Sequence, residues 1–306
     1  ITNSTAALQS LRSGEIDFMK PSSEQFADVS GDEDFKKQFY VLDYWQPSGG
    51  YAFIAWNFNT PFFSDRRVRL AMTLITDRES IAKNLLKGYG RIVTGPFYIF
   101  GRQNDPNVKP WPYDPERAKK LLDEAGWVDS DGDGIRDRDG AAFRFKYSYP
   151  AGSTTVERIA KLLKDSAEQV GIELTADPLE WSIFIERLNE RKFEAATLSW
   201  GGTIESDPYQ IWHSSQTKGR GNNFIGFNNP QADRLIAQAR RTLDADKRYE
   251  LYHQFHRLLH AEQPYTFLIT RPSLALIDRR FENVKIHKLG LEQFEWYVPK
   301  ARQKYK

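Results

Sequence analysis

The chain has 306 residues, 40% hydrophobic and 27% charged, with 43 Lys and Arg against 41 Asp and Glu for a formal net charge of +2. This ordinary globular composition excludes disorder, collagen and a charge-dominated tail, and no bulk charge argues for nucleic acid or a membrane surface as partner. There are no cysteines, which removes a disulfide framework, a thiolate metal site and a cysteine nucleophile together and suits an exported protein.

At about 150 residues per domain the length predicts two domains or one large α/β unit. Ile1-Thr2-Asn3-Ser4 carries neither an initiator Met nor a signal peptide, so the chain reads as a mature form or a fragment. Leu8 and Leu11 predict an opening helix stopped at Gly14, followed by a short strand over 15–18 and an acidic loop over 28–34. The aromatic run over 51–59 predicts a strand ended by Pro61. Ser64 is the expected N-cap of a helix burying Val68, Ala71, Met72 and Ile75, and a second helix is expected from Asp77 to Gly88. The Pro- and aromatic-rich stretch 95–113 is too long for a simple connection and is a candidate for lining a site. Asp114 and Pro115 start the next helix, which stops at Gly126. Alternating aromatics over 143–149 predict a strand, Ser153 caps a helix ended by Gly171, and 172–175 predicts a second strand. This is a βαβ unit with parallel strands. A helix over 181–189, a strand over 193–200, amphipathic helices over 230–243 and 246–262, and late strands over 265–269 and 274–277 complete an α/β chain with a mobile tail after Pro299. No apolar run approaches the roughly 18 residues of a membrane-spanning helix, so no membrane insertion by this segment is expected.

Five carboxylates and three glycines fall in Asp129-Ser-Asp131-Gly-Asp133-Gly134-Ile-Arg-Asp137-Arg-Asp139-Gly140. Asp at loop positions one, three and five with Gly at six is how a calcium loop begins. Position twelve is Gly140 where a bidentate Glu is needed, so an acidic turn is the better reading. No cofactor is required; calcium in the 129–139 loop, held by Asp129, Asp131, Asp133 and Asp137, is the one candidate. His253, His256 and His260 share a helical face, but Tyr252, Phe255, Leu258 and Leu259 lie opposite, which predicts solvated histidines and no metal site. Nucleophile, zincin and Walker motifs are absent from the sequence.

A strand ending in Trp200 and entering the loop Gly201-Gly202-Thr203-Ile204-Glu205-Ser206-Asp207-Pro208 is a different matter. In α/β sheets ligands bind beyond the carboxyl ends of strands, where this loop is expected to lie. A packed loop with two structural tryptophans is the alternative, and the residues alone leave the two readings near even.

Several segments, in order along nearly the whole chain, carry a family resemblance. They are Leu11-x-x-Gly14-Glu15-Ile16-Asp17; Asn57-x-Asn59-x-Pro61-Phe62; Asp65-x-x-Val68-Arg69-x-Ala71 with Asp77-Arg78; Tyr113-Asp114-Pro115-x-x-Ala118 through Ala125-Gly126; Asn228-Asn229-Pro230-x-x-Asp233-x-Leu235-Ile236; and Asp246 and Arg248 before Tyr249. The chain resembles the family 5 solute-binding proteins of ABC importers, the group holding oligopeptide-, dipeptide- and nickel-binding proteins. The resemblance implies an α/β periplasmic-binding-protein-like (type II) lobe with a mixed sheet flanked by helices, plus part of a second lobe. It divides the chain into 1–55, a partial hinge-side lobe; 56–270, the C-terminal ligand-binding lobe; and 271–306, the return to the hinge-side lobe. The Leu11 to Asp17 segment lies well inside the family's chains, so this one is expected to be a C-terminal portion. The implied function is capture of peptides or similar polar oligomeric solutes in an interlobe cleft and delivery to a permease, without enzymatic turnover. The implied location is periplasmic or extracellular, with a lipid anchor if one precedes this segment. Only with this resemblance is Trp200 the expected stacking wall, Glu205 and Asp207 the expected acceptors for a cationic group, and Tyr209, Trp212 and Asn223 the secondary lining. Peptide binders of the family carry an Asp three residues after the cleft Trp; Thr203 stands there in this chain, which leaves Glu205 or Asp207 to supply the charge. Nickel-chelate or sugar-oligomer binding by the same fold is the alternative within the class, and a carboxylate-based hydrolase or a calcium-stabilised interaction module the alternatives outside it.

Overall fold

The computed structural model describes residues 1, 3–219 and 221–304. The chain divides into two compact units, one of residues 1–49, 82–91 and 270–306 and one of residues 50–81 and 92–269. It therefore passes between them at 49/50, 81/82, 91/92 and 269/270. The excursion of 82–91 into the first unit has no counterpart in the three-part division read from the sequence. It begins in a single π-helical turn, Ile81–Leu85, where a regular helix running to Gly88 was expected.

In the first unit, strands Phe18–Met19, Ser273–Asp278 and Phe39–Tyr44 form an antiparallel sheet in that spatial order. Helix Ser4–Ser13 is capped by the Asn3 side chain and closed by Gly14 at φ 78°, a left-handed conformation that glycine adopts without steric cost. The acidic stretch 28–34, expected as a loop, is instead the end of one helix, a two-residue connection at 31–32 and the start of the next. Ser22 and Gln25 form a reciprocal capping box for helix Ser23–Ser30, and Asp32 accepts from the Asp34 and Phe35 amides to start Glu33–Gln38. Asp32 is the cap and Glu33 and Asp34 are first-turn residues, stabilised there by the helix dipole. The tail is also held rather than free. Lys304 donates to the Gly14 carbonyl at 2.6 Å and pairs with Asp17 at 3.0 Å.

The second unit is built on a five-stranded mixed sheet. Its strand order is Tyr265–Phe267, Tyr51–Trp56, Ala195–Trp200, Arg144–Pro150, Glu173–Leu179. Tyr51–Trp56 is antiparallel to both its neighbours, and Arg144–Pro150 is parallel to both of its own, as the βαβ reading through helix Thr154–Glu168 requires. Phe53, Tyr265, Phe267, Trp212, Phe227 and Leu259 lie within one buried apolar cluster, against which helices Pro230–Arg241 and Ala245–Glu262 pack.

Candidate functional site

Strand Ala195–Trp200 is central in the sheet, and Tyr51 lies opposite Trp200 in register. Gly50 permits that pairing: its φ is +63°, and a Cβ there would lie 1.8 Å from the Trp200 carbonyl oxygen. Trp200 is partly exposed and its ring belongs to a set of nearly parallel rings, with Phe53 and Phe224 each at 5.9 Å and Tyr265 stacked on Phe53 at 4.1 Å. Offset stacking of this kind adds to the area term and fixes the indole's orientation.

Beyond Trp200 the chain forms an irregular loop whose polar side chains are engaged. The Thr203 hydroxyl donates to the Glu205 carbonyl at 2.7 Å. The Glu205 carboxylate accepts from the Tyr249 hydroxyl, whose pKa it raises, and pairs with Arg248 at 3.4 Å. Asp207 pairs with Arg240 at 3.1 Å and accepts from the Tyr209 amide at 3.0 Å. Arg240 in turn lies over the Tyr209 ring, 4.4 Å from its centroid. Both expected acceptors thus already face a guanidinium of the same unit. Gln103, from the 95–113 stretch, closes the loop: its amide donates to the Ser206 carbonyl at 2.8 Å and accepts from the Ser206 N–H at 2.6 Å.

Trp212 and Asn223 do not line this surface. Trp212 is 1% exposed and packs on Phe227, Tyr265 and Phe267 in the core. Asn223 is 0% exposed; its amide donates to the Phe227 carbonyl at 2.8 Å and accepts from the Phe227 N–H at 3.0 Å, a local brace of the chain. Their assignment as lining is corrected. An aromatic and an amide following a loop read alike whether they face ligand or core.

The acidic turn brings Asp129, Asp131 and Asp137 together, with ligand atoms within 4.8 Å of one another. Asp133 leaves the group and pairs with Arg144 at 3.2 Å. The other carboxylates accept from loop donors: Asp129 from the Gly132 and Gly134 amides, Asp131 from the Asp133 amide, and Asp137 from the amide and hydroxyl of Ser130, which hold its pKa below the usual range.

The histidines contradict the expectation of a solvated face. His256 is 0% exposed. Its Nδ1 accepts from the Asp105 N–H at 3.1 Å, which leaves Nε2 as the protonated nitrogen of a neutral ring, 3.0 Å from the Thr94 hydroxyl. Burial pushes its pKa down to about 4. His260 is likewise lowered by burial, to about 4, and stacks on Trp111 at 5.2 Å. The periodicity was sound, but the long 95–113 stretch covers that face.

The mixed sheet with flanking helices is that of a type II periplasmic-binding-protein-like lobe, and comparison with known proteins narrows the class. Residues 1–223 match the bacterial extracellular solute-binding proteins, family 5. The oligopeptide-binding protein AppA of Bacillus subtilis is 32% identical over 306 residues, covering 98% of this chain and 55% of AppA. The structure of that protein with a nonapeptide superimposes with a TM-score of 0.86 at 29% identity, covering 98% of this chain and 59% of that one. NikZ from Campylobacter jejuni, solved with Ni(L-His), shares the fold at a TM-score of 0.81 and 24% identity, with 97% of this chain and 60% of that one covered. The chain belongs to the family 5 extracellular solute-binding proteins and spans a little over half the length of these relatives.

Proposed function

We propose that this chain is the C-terminal portion of the binding component of an ABC importer, which captures peptides or similarly polar oligomeric solutes and delivers them to a permease. The observation that carries the reading is the likeness along 98% of the chain to AppA, whose solved structure holds a nonapeptide. The protein acts by binding, without turnover, outside the cytoplasmic membrane, with a lipid anchor where a segment preceding this one supplies it. Trp200, Thr203 and Tyr209 form the ligand-contacting surface, with Glu205 and Asp207 holding the loop through their arginines. The strand pairing at Trp200 and the Gln103 bonds to Ser206 hold this surface in place before ligand arrives, which lowers the ordering cost of binding.

Native mass spectrometry of the full-length protein tests the class: co-purified masses should resolve into peptides of mixed sequence, and a single non-peptide ligand would overturn it. Trp200→Ala in the same protein should remove most of the bound mass while the circular dichroism is kept. Undiminished occupancy would reject the site.

A further inference from the structure

Helix Ala245–Glu262 grips the segment 102–105 at three points. The His253 Nε2 donates to the Arg102 carbonyl at 2.9 Å, the His256 Nδ1 accepts from the Asp105 N–H, and Arg257 pairs with the buried Asp105 carboxylate. Residues 253, 256 and 257 stand at i, i+3 and i+4, one face of the helix. The Asp105 carboxyl is pushed up by burial, but the Asn107 amide and Arg257 outweigh that and hold its pKa below the usual range.

Gln103 lies between the gripped residues and is 2% exposed. Its side chain bonds Ser206 through both backbone groups, as a neighbouring strand would. The pairing also fixes the amide's orientation, because a flipped amide would set N–H against N–H and oxygen against oxygen. The loop's other side-chain ties to the helices, Glu205 to Arg248 and Tyr249 and Asp207 to Arg240, are made through carboxylates that are themselves exposed, where such pairs contribute little in water. Gln103 is the loop's buried, two-bond attachment.

We propose that Gln103 is a positioning residue for ligand capture: by holding the backbone of Ser206 it fixes the loop 201–208 beside Trp200, and the His253, His256 and Arg257 face of the helix serves to hold Gln103 in place. This rests on the reading of the Trp200 loop as the ligand surface. A loop ordered in advance loses less entropy when ligand arrives, so the clamp acts on dissociation more than on association.

The test uses the full-length protein with Gln103→Leu, which keeps the volume and loses both bonds, and Gln103→Glu, which keeps the acceptor for the Ser206 N–H. Hydrogen exchange of 201–208 is read by mass spectrometry, and binding of a fluorescein-labelled, sequence-randomised nonapeptide mixture by anisotropy. Gln103→Leu should speed exchange at the Ser206 amide at least roughly tenfold and weaken binding roughly tenfold, with Gln103→Glu between it and the parent. Melting temperatures of both should stay within a few degrees of the parent. Unchanged exchange in 201–208 overturns the proposal, and so does faster exchange spread over the whole unit with a lowered melting temperature. If Gln103→Leu does not fold, Gln103→Glu alone decides by the same two readouts. Trp200→Ala separates the two claims. Binding lost in Trp200→Ala but kept in both Gln103 variants refutes the positioning role alone, and binding indifferent to Trp200→Ala refutes the ligand surface itself.

Discussion

His256 makes the stability of the second unit depend on pH in a direction that the structure determines. Burial lowers its pKa from 6.5 to about 4, opposed in part by Thr94 and Asp105 and reinforced by His260 and His253. The unfolded chain therefore binds one proton more than the folded chain between these two values. Stability rises with pH across that window, is fully present above the unfolded pKa, and is lost as pH falls toward 4. One unit of pKa is about 1.4 kcal/mol, so this single ring accounts for about 3 kcal/mol between pH 6.5 and 4. His260, partly exposed, acts in the same sense with a smaller effect. Urea unfolding followed by circular dichroism at pH 7, 6, 5 and 4.5 measures the slope. In His256→Gln, which cannot titrate, stability should fall less steeply with acid, by about 1.4 kcal/mol per pH unit in the middle of the window. Parallel curves for parent and variant would refute the argument, since a constant offset would leave the hydrogen bonds but remove the proton.

Gly50→Ala should destabilise the unit by about 2–3 kcal/mol or more, read as a lowered melting temperature, because the Trp200 carbonyl occupies the place of the new methyl and φ is positive. Gly201→Ala, with nothing within 4 Å of its Cβ position, should stay within about 0.5 kcal/mol, and equal effects would refute the close approach. Arg69 is buried, donates to the carbonyls of Phe63, Ser64 and Glu262, and lies 3.9 Å above the Phe58 ring centroid. Arg69→Met should cost about 3 kcal/mol in urea unfolding, and a cost below about 1 kcal/mol would show those bonds to be dispensable. Thermal melts in calcium and in chelator should coincide, since loop donors already occupy the Asp129, Asp131 and Asp137 carboxylates; a chelator-sensitive melt would restore the calcium reading.

What was legible in the sequence was local chemistry. Asp114 with Pro115 and Ser153 start helices where their cap bonds predict, Gly14 ends one, and the aromatic alternation before Pro150 is a strand. The helix expected to start at Ser64 is capped one residue later, by Asp65. Tertiary pairing was not legible. Strand Phe39–Tyr44 has no counterpart among the elements expected from the sequence, although it holds the apolar run Phe39-Tyr40-Val41-Leu42; its hydrogen-bonding partner, Ser273–Asp278, lies more than 200 residues away. Lys304 finds Gly14 and Asp17 at a similar distance in sequence, and so a tail expected to be mobile is docked.

The same distinction explains why the family was easier to read than the site. The residues that carried the resemblance are scaffold. Asn57 braces the Arg191 and Phe193 carbonyls, Asp65 and Asn229 are N-caps, Arg69 and Arg78 are buried donors to carbonyls, and Asp233 accepts from Ser214. Each has one geometry to satisfy, so each fixes residue type and spacing, and spacing is what a sequence displays. The proposed ligand surface has no such fixed spacing. Glu205 and Asp207 looked like free acceptors because their partners, Arg248 and Arg240, lie on helices that follow tens of residues later. A carboxylate's availability depends on what faces it, and that is set by how the two helices pack on the sheet. The length of the 95–113 stretch was a signal of tertiary packing. A segment that long without regular structure must satisfy its backbone and its charges elsewhere, and it does so by gripping the histidine face with Asp105 while Gln103 reaches to Ser206.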